Sequence, residues 1–228
     1  MRDAAPVHLE IRARGDEVHS VREEQAWPIP SVRWTQLHLA PGELRLTPLE
    51  ANAEVRFEVP GDAATFVFRV PEDMELVGPM KLRLHIALAD ATDAYLFASI
   101  CKRAGRREVP FEGPFGFGCD VVAKGWLRVA HRRVDESRSE LHRPFHPSDR
   151  AEPLGRNEIA PVDIEILPSA TFFARGDQLC LDVRGRWPWR RSMFFGMFPG
   201  SYAPSPSATV ILHVGGAHDA HLLVPRTG

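Results

Sequence analysis

The sequence predicts an all-β fold, a jelly-roll β-sandwich. Three observations carry this. Apolar and polar residues alternate with a period of two through many segments. Glycine and proline punctuate the chain at short intervals, with 17 and 20 of them spread along its length. No amphipathic segment is longer than about three helical turns. Many short strands with such punctuation belong to sandwiches and jelly rolls.

The elements follow in chain order. Strands are expected over 7–12, 35–39, 54–59 and 65–69. Ala-Pro-Gly-Glu at 40–43 and Pro-Gly-Asp at 60–62 supply turns, and Val-Gly-Pro at 77–79 reads as another. Residues 81–89 place Leu82, Leu84, Ile86 and Leu88 on one face, the mark of a half-buried strand. Strands over 95–102 and 125–132 come next, with one short helical turn over 135–141. The stretch 142–156 holds three prolines and alternating charges, so it reads as a surface connection. Val162, Ile164 and Ile166 alternate with Asp163 and Glu165. After Arg-Gly-Asp at 175–177, Leu179, Leu181 and Val183 alternate in the same way, as do Val210, Leu212 and Val214. Residues 185–206 are irregular and rich in Trp, Phe, Arg and Pro. Residues 1–228 read as one domain, with 1–30 as a lead-in.

Composition narrows the function. The 228 residues are enough to bury a core without staples. The net charge is −2 with no basic stripe, which argues against a nucleic-acid partner. Cys101, Cys119 and Cys180 are odd in number and form no Cys-x-x-Cys, so no disulfide framework is expected. A reducing compartment follows, with the cytoplasm as the expectation. The N-terminus has no apolar signal segment, and no apolar run approaches the length of a membrane-spanning helix.

Catalytic signatures are weak. The serine nucleophile of an α/β-hydrolase sits in a Gly-x-Ser-x-Gly elbow, where close backbones demand glycine. No serine here has glycine two residues before it. An enzyme with an unrecognised site would draw on Asp93, His131 and the serines of 137–148. His142 and His146 have i, i+4 spacing, and His218 and His221 have i, i+3. Pro144 interrupts the first pair, so both pairs read as solvated loop histidines rather than metal ligands. Asp90 and Asp93 flank a turn and are expected to cap backbone N–H groups rather than bind calcium. The glycine-rich 112–118 lacks the Lys-Ser/Thr of a phosphate loop and reads as a loop packed by Phe115 and Phe117. No cofactor or metal is expected.

Trp187, Trp189, Arg190, Phe194 and Phe195 interleave large rings with guanidinium groups. Such segments supply desolvated area and forked hydrogen bonds at interfaces. The same rings packed inward would cover the core. Exposed, they would stack on sugar rings, which defines an alternative reading as a free-standing carbohydrate-binding module.

The chain also resembles a known family along 6–225. The motifs are Pro6-Val-His-Leu-Glu-Ile, Trp27-Pro-Ile-Pro, Trp34-Thr-Gln-Leu-His-Leu, Gly125-Trp-Leu-Arg-Val-Ala-His-Arg, Arg143-Pro-Phe-His-Pro, Leu167-Pro-Ser-Ala-Thr and His221-Leu-Leu-Val-Pro. In order and spacing they resemble the C-terminal β-sandwich domain of serine hydrolases of the X-Pro dipeptidyl-peptidase and cocaine-esterase type. The resemblance implies a galactose-binding-like jelly roll packed on an α/β-hydrolase domain and a helical cap. Family members cleave X-Pro dipeptides, acyl esters or α-amino-acid esters, with their catalytic residues upstream of this domain. No catalytic residue therefore carries over, and the catalytic domain is expected to be absent from these 228 residues. Some family esterases wall the acyl pocket with a long loop between two early strands. Here the corresponding 59–64 is very short. The implied partners are an α/β-hydrolase catalytic domain, on the same or a separate chain, and a second copy of this chain. An accessory domain without its partner exposes an apolar docking patch.

Overall fold

The computed structural model describes residues 6–113, 119–187 and 203–227. Its elements are β1 (Val7–Arg14), β2 (Glu17–Glu24), β3 (Arg33–Ala40), β4 (Glu43–Arg45), β5 (Ala53–Val59) and β6 (Ala63–Arg69), followed by the long β7 (Met74–Leu88). Then come β8 (Tyr95–Ala104), β9 (Arg107–Val109), β10 (Phe111–Glu112), β11 (Cys119–Asp120) and β12 (Ala123–Arg128). The series closes with β13 (Ala160–Phe173), β14 (Gln178–Arg184), β15 (Ala208–Val214) and β16 (His221–Thr227). Two short 3-10 turns, Val129–His131 and Glu136–Arg138, are the helical elements among the described residues.

Fourteen strands join one curled sheet in the order β12-β8-β14-β6-β4-β3-β16-β7-β13-β1-β2, with β15 bridging β5 to β7 and β9 on β8. The sheet curls until β12, at one end of the order, lies against β13 near the other, so its parts face each other as the layers of a sandwich. The alternation explains why. Leu82, Leu84, Ile86 and Leu88 of β7 are fully buried, as are Phe66, Leu96, Ile164, Leu181 and Leu212 from other strands. All belong to one apolar cluster between the layers. Burying each such side chain contributes about 1.5–3 kcal/mol.

The all-β expectation holds, with local corrections. Val77, Gly78 and Pro79 do not end a strand. β7 runs through them, and both neighbours shift register there, β13 between Ile166 and Ser169 and β16 between Leu223 and Arg226. Gly78 has φ +139°, and a Cβ there would sit 3.2 Å from Pro225. The glycine therefore marks a bulge rather than a turn, with Pro168 and Pro225 at the places where ladder bonds lapse. The expected strand over 125–132 ends at Arg128, where the 3-10 turn begins. The expected helical turn over 135–141 shrinks to Glu136–Arg138, with the Asp135 carboxylate accepting from Ser137 N–H at 3.1 Å.

Residues 6–30 are more than a lead-in. β1 pairs with β2 and touches β13, and Leu9, Ile11 and Ile29 pack with Val77 in a second small core. β2 escapes sequence reading because its inward positions are polar. Arg22 there donates to Glu75 at 2.7 Å, while Val18 and Val21 are exposed. β4, β9, β10 and β11 are too short to show a period.

Candidate functional site

The aromatic–basic segment emerges from β14 and returns at β15. Its two described flanks are clamped together, since Ser205 N–H donates to the Gly185 carbonyl at 2.6 Å. A Cβ on Gly185 would lie 2.4 Å from Val59, so only glycine permits this approach. Ser205 is buried, and its hydroxyl accepts from Tyr95 N–H at 3.0 Å.

Trp187 is half-buried and lies against β8 and β12. Its ring meets Phe97 edge-on at 5.9 Å and Trp126 at 5.5 Å, and Lys124 Nζ lies 5.4 Å from its centroid. Trp189, Arg190, Phe194 and Phe195 lie outside the described residues, as do Phe115 and Phe117. Beside Trp187, a shallow pocket is lined by Tyr95, Leu96, Phe97, Trp126, Leu127, Arg128 and Ala203. Trp126, 40% exposed, is the large apolar member most open to solvent. Sequence reading took it as part of a family motif and missed its place here. The available signal was a large ring at an outward position of an alternating strand.

A polar row runs beside the aromatic one. Lys124, Ser99, Asp182 and Thr65 stand opposite one another across β12, β8, β14 and β6. Thr65 Oγ1 and Arg184 each donate to the Asp182 carboxylate at 2.6 Å. Ser99 Oγ and Arg184 Nε are buried without a hydrogen-bond partner among the described residues.

The other candidates hold structure together. The Asp93 carboxylate accepts from the N–H groups of Ala94 and Ala130 and from Arg128 Nε at 2.6 Å. Asp90 accepts from Thr209 N–H and Oγ1. These are the turn caps expected of the pair. Ser137 donates to Asp135, Ser139 to the Asp135 carbonyl and Ser148 to the His146 carbonyl. None of the three hydroxyls reaches a histidine ring.

The histidine pairs are not solvated, which corrects the sequence reading. His142 stacks on Trp34 at 5.1 Å, and the two ring nitrogens of His146 face the carbonyls of Arg133 and Asp163 at 3.1 and 2.9 Å. His221 is only 6% exposed and bonds to Gln36. Burial, foremost, lowers the pKa of His142 and His221. As the side chains stand, no three His, Cys, Asp or Glu residues among those described converge to hold a metal ion. The three cysteines are free, and burial pushes the Cys101 thiol up to about 12, which makes it a poor nucleophile.

A family model described as the X-Pro dipeptidyl-peptidase C-terminal non-catalytic domain matches residues 2–222. The chain belongs to this family. No curated protein sequence matches it. Among solved structures, a CocE/NonD family hydrolase from Staphylococcus aureus is 29% identical, with a TM-score of 0.93, and the likeness covers 99% of this chain and 42% of that one. An aminopeptidase from a marine sediment archaeon, Thaumarchaeota archaeon, shares the fold at 15% identity and a TM-score of 0.68, over 99% of this chain and 41% of that one. An α-amino acid ester hydrolase does so at 16% and 0.64, over the same shares. The chain thus spans about two-fifths of the length of the hydrolases it matches. Several family motif residues have structural work here. A Cβ on Gly125 would lie 2.0 Å from the Glu165 carbonyl oxygen, so this glycine sets how closely β12 approaches β13. Among the described residues no helix is long and apolar enough to cross a membrane.

Proposed function

We propose that this chain is the C-terminal accessory domain of a serine hydrolase of the X-Pro dipeptidyl-peptidase and cocaine-esterase type. The observation that carries the reading is its likeness to one part, 42%, of a hydrolase chain over 99% of its own length. The rest of such an enzyme would hold the α/β-hydrolase catalytic domain. This domain packs against it, stabilises it, shapes the entrance to its site or holds an assembly of copies together. Residues 1–228 act in this as one unit, a galactose-binding-like jelly roll working in the cytoplasm. The missing serine elbow supports a non-catalytic role.

The surface that serves docking is the aromatic–basic segment with its described neighbours Trp126, Phe97 and Arg128. Trp187 is engaged with Phe97, Trp126 and Lys124, an arrangement suited to a packed interface more than to a platform for sugar. Calorimetry against an α/β-hydrolase domain made as a separate folded chain tests this. A one-to-one complex weakened at least tenfold by Trp126→Ala is expected, a change of about 1.4 kcal/mol. No heat of binding with both parts folded overturns the docking role. Undiminished binding by the variant moves the interface elsewhere.

A further inference from the structure

Three histidines meet on the outer face of the sheet, away from the aromatic patch. His85 of β7 and His213 of β15 stand directly opposite each other in antiparallel pairing. His218, in the turn between β15 and β16, folds back over them. Its ring centroid lies 5.3 Å from that of His85 and 5.3 Å from that of His213.

The turn that presents His218 is tightly held. Gly215 and Gly216 have φ +72° and +51°, and a Cβ on either would come within 2.3 Å of Ala51 O or 2.2 Å of Asn52 Oδ1. Gly216 N–H donates to the Leu49 carbonyl, Ala217 N–H to Asn52 Oδ1 and His218 N–H to the Gly215 carbonyl. The backbone therefore fixes where the third imidazole stands.

One ring nitrogen has no assigned work. His213 Nε2 is buried and makes no hydrogen bond among the described residues. Its Nδ1 faces Glu54 Oε1 at 3.6 Å. A carboxylate at one nitrogen favours the proton there and leaves the lone pair on the other, as in the carboxylate–histidine–metal arrangement. An unpaired buried nitrogen is destabilising unless something fills its lone pair.

We propose that His85, His213 and His218 form a binding site for a divalent transition metal of the zinc class, with Glu54 orienting His213. An imidazole nitrogen binds zinc at about 2.0–2.1 Å, which places two ring centroids on one tetrahedral ion roughly 5 Å apart. The two separations to His218, 5.3 Å each, match this spacing, and His85 and His213 are brought together by their cross-strand register. The nitrogens do not converge as the side chains stand, and convergence requires turning the rings about their terminal torsions, which are broad. The nearby cations are already paired, Arg56 with Glu54 at 2.8 Å and Arg83 with Asp163 at 2.6 Å. With three protein ligands, water fills the fourth position. The ion would pin the β15–β16 turn to β7.

The test titrates the untagged chain with Zn2+ by calorimetry and with Co2+ by visible absorption. One equivalent is expected, with the ligand-field band of a nitrogen-bound Co2+ and a rise in melting temperature. His218→Asn, on the turn, should weaken binding at least tenfold, and Glu54→Gln by about tenfold. His142→Asn should leave it unchanged. Long-range nitrogen NMR of the wild-type rings gives a readout independent of variants, with Zn2+ shifting His213 Nε2. Absence of saturable binding overturns the site. So does equal binding by His218→Asn, or Zn2+ that perturbs only other histidines.

Discussion

Lys102 is a cation placed where water hardly reaches it. It is 5% exposed, and its ammonium donates to the carbonyls of Ala13 at 2.8 Å and Phe172 at 2.7 Å, with Asp177 at 3.2 Å. It thereby ties the end of β1 to β8, β13 and the turn before β14. Lys102→Met should cost about 3–5 kcal/mol, because two carbonyls and one carboxylate lose their buried partner. Urea denaturation measures this, and a loss below about 1 kcal/mol would mean that water replaces the ammonium. The histidines set a pH dependence. His85, His142, His213 and His221 are all held below their ordinary 6.5, with burial the foremost cause. The folded chain then binds fewer protons than the unfolded one between 6.5 and the lowered values. Stability is full above 6.5 and declines as pH falls through that window. The melting temperature should drop between about pH 7.5 and about pH 5.5. His142→Gln should make the drop shallower, and a melting temperature that rises on acidification would contradict the assignment.

At the scale of elements, glycines decide how strands meet. Gly125 opens the family's Gly-Trp-Leu-Arg motif, and its missing side chain lets β12 lie against the Glu165 carbonyl. Gly125→Ala forces the two strands apart. It should cost roughly 1–3 kcal/mol in denaturant unfolding, the range of other overpacking changes. An unchanged midpoint would show that β12 is free to shift. The bulge in β7 has the same logic. Val77, Gly78 and Pro79 carry turn composition, yet β13 and β16 pair with β7 on both sides of them. Local signals name a break, and two neighbouring strands override it. Where burial alternates cleanly, as in β6 and in β7 over 81–86, the sequence pattern and the structure coincide, whereas β14 is covered on both faces and buries Cys180 and Asp182 as well. β2 shows the converse, since its inward face carries Ser20 and Arg22 and has no apolar period to read.

At the scale of the molecule, the accessory reading makes a chemical prediction. A fluorescent fluorophosphonate should leave the folded chain unlabelled while labelling a full-length family hydrolase in parallel. Stoichiometric labelling would reveal a triad on this scaffold and sink the non-catalytic reading. The all-β class, most strands, the absent elbow and the family motifs were legible in sequence. Each depends on residues near one another in the chain, through side-chain alternation or fixed local spacing. The contacts of the candidate patch were not legible in this way. Trp187 meets Trp126 and Phe97 because β12, β8 and β14 lie side by side, though they are far apart in sequence. The same holds for His85, His213 and His218, whose meeting depends on the pairing of β7 with β15 and on a turn held by Leu49 and Asn52. Sequence alone determined which faces are apolar, because that is a property of alternation along one strand. Tertiary structure alone decided which polar and aromatic groups become neighbours, because sheet order and register are fixed by how the whole set of apolar faces closes around one core.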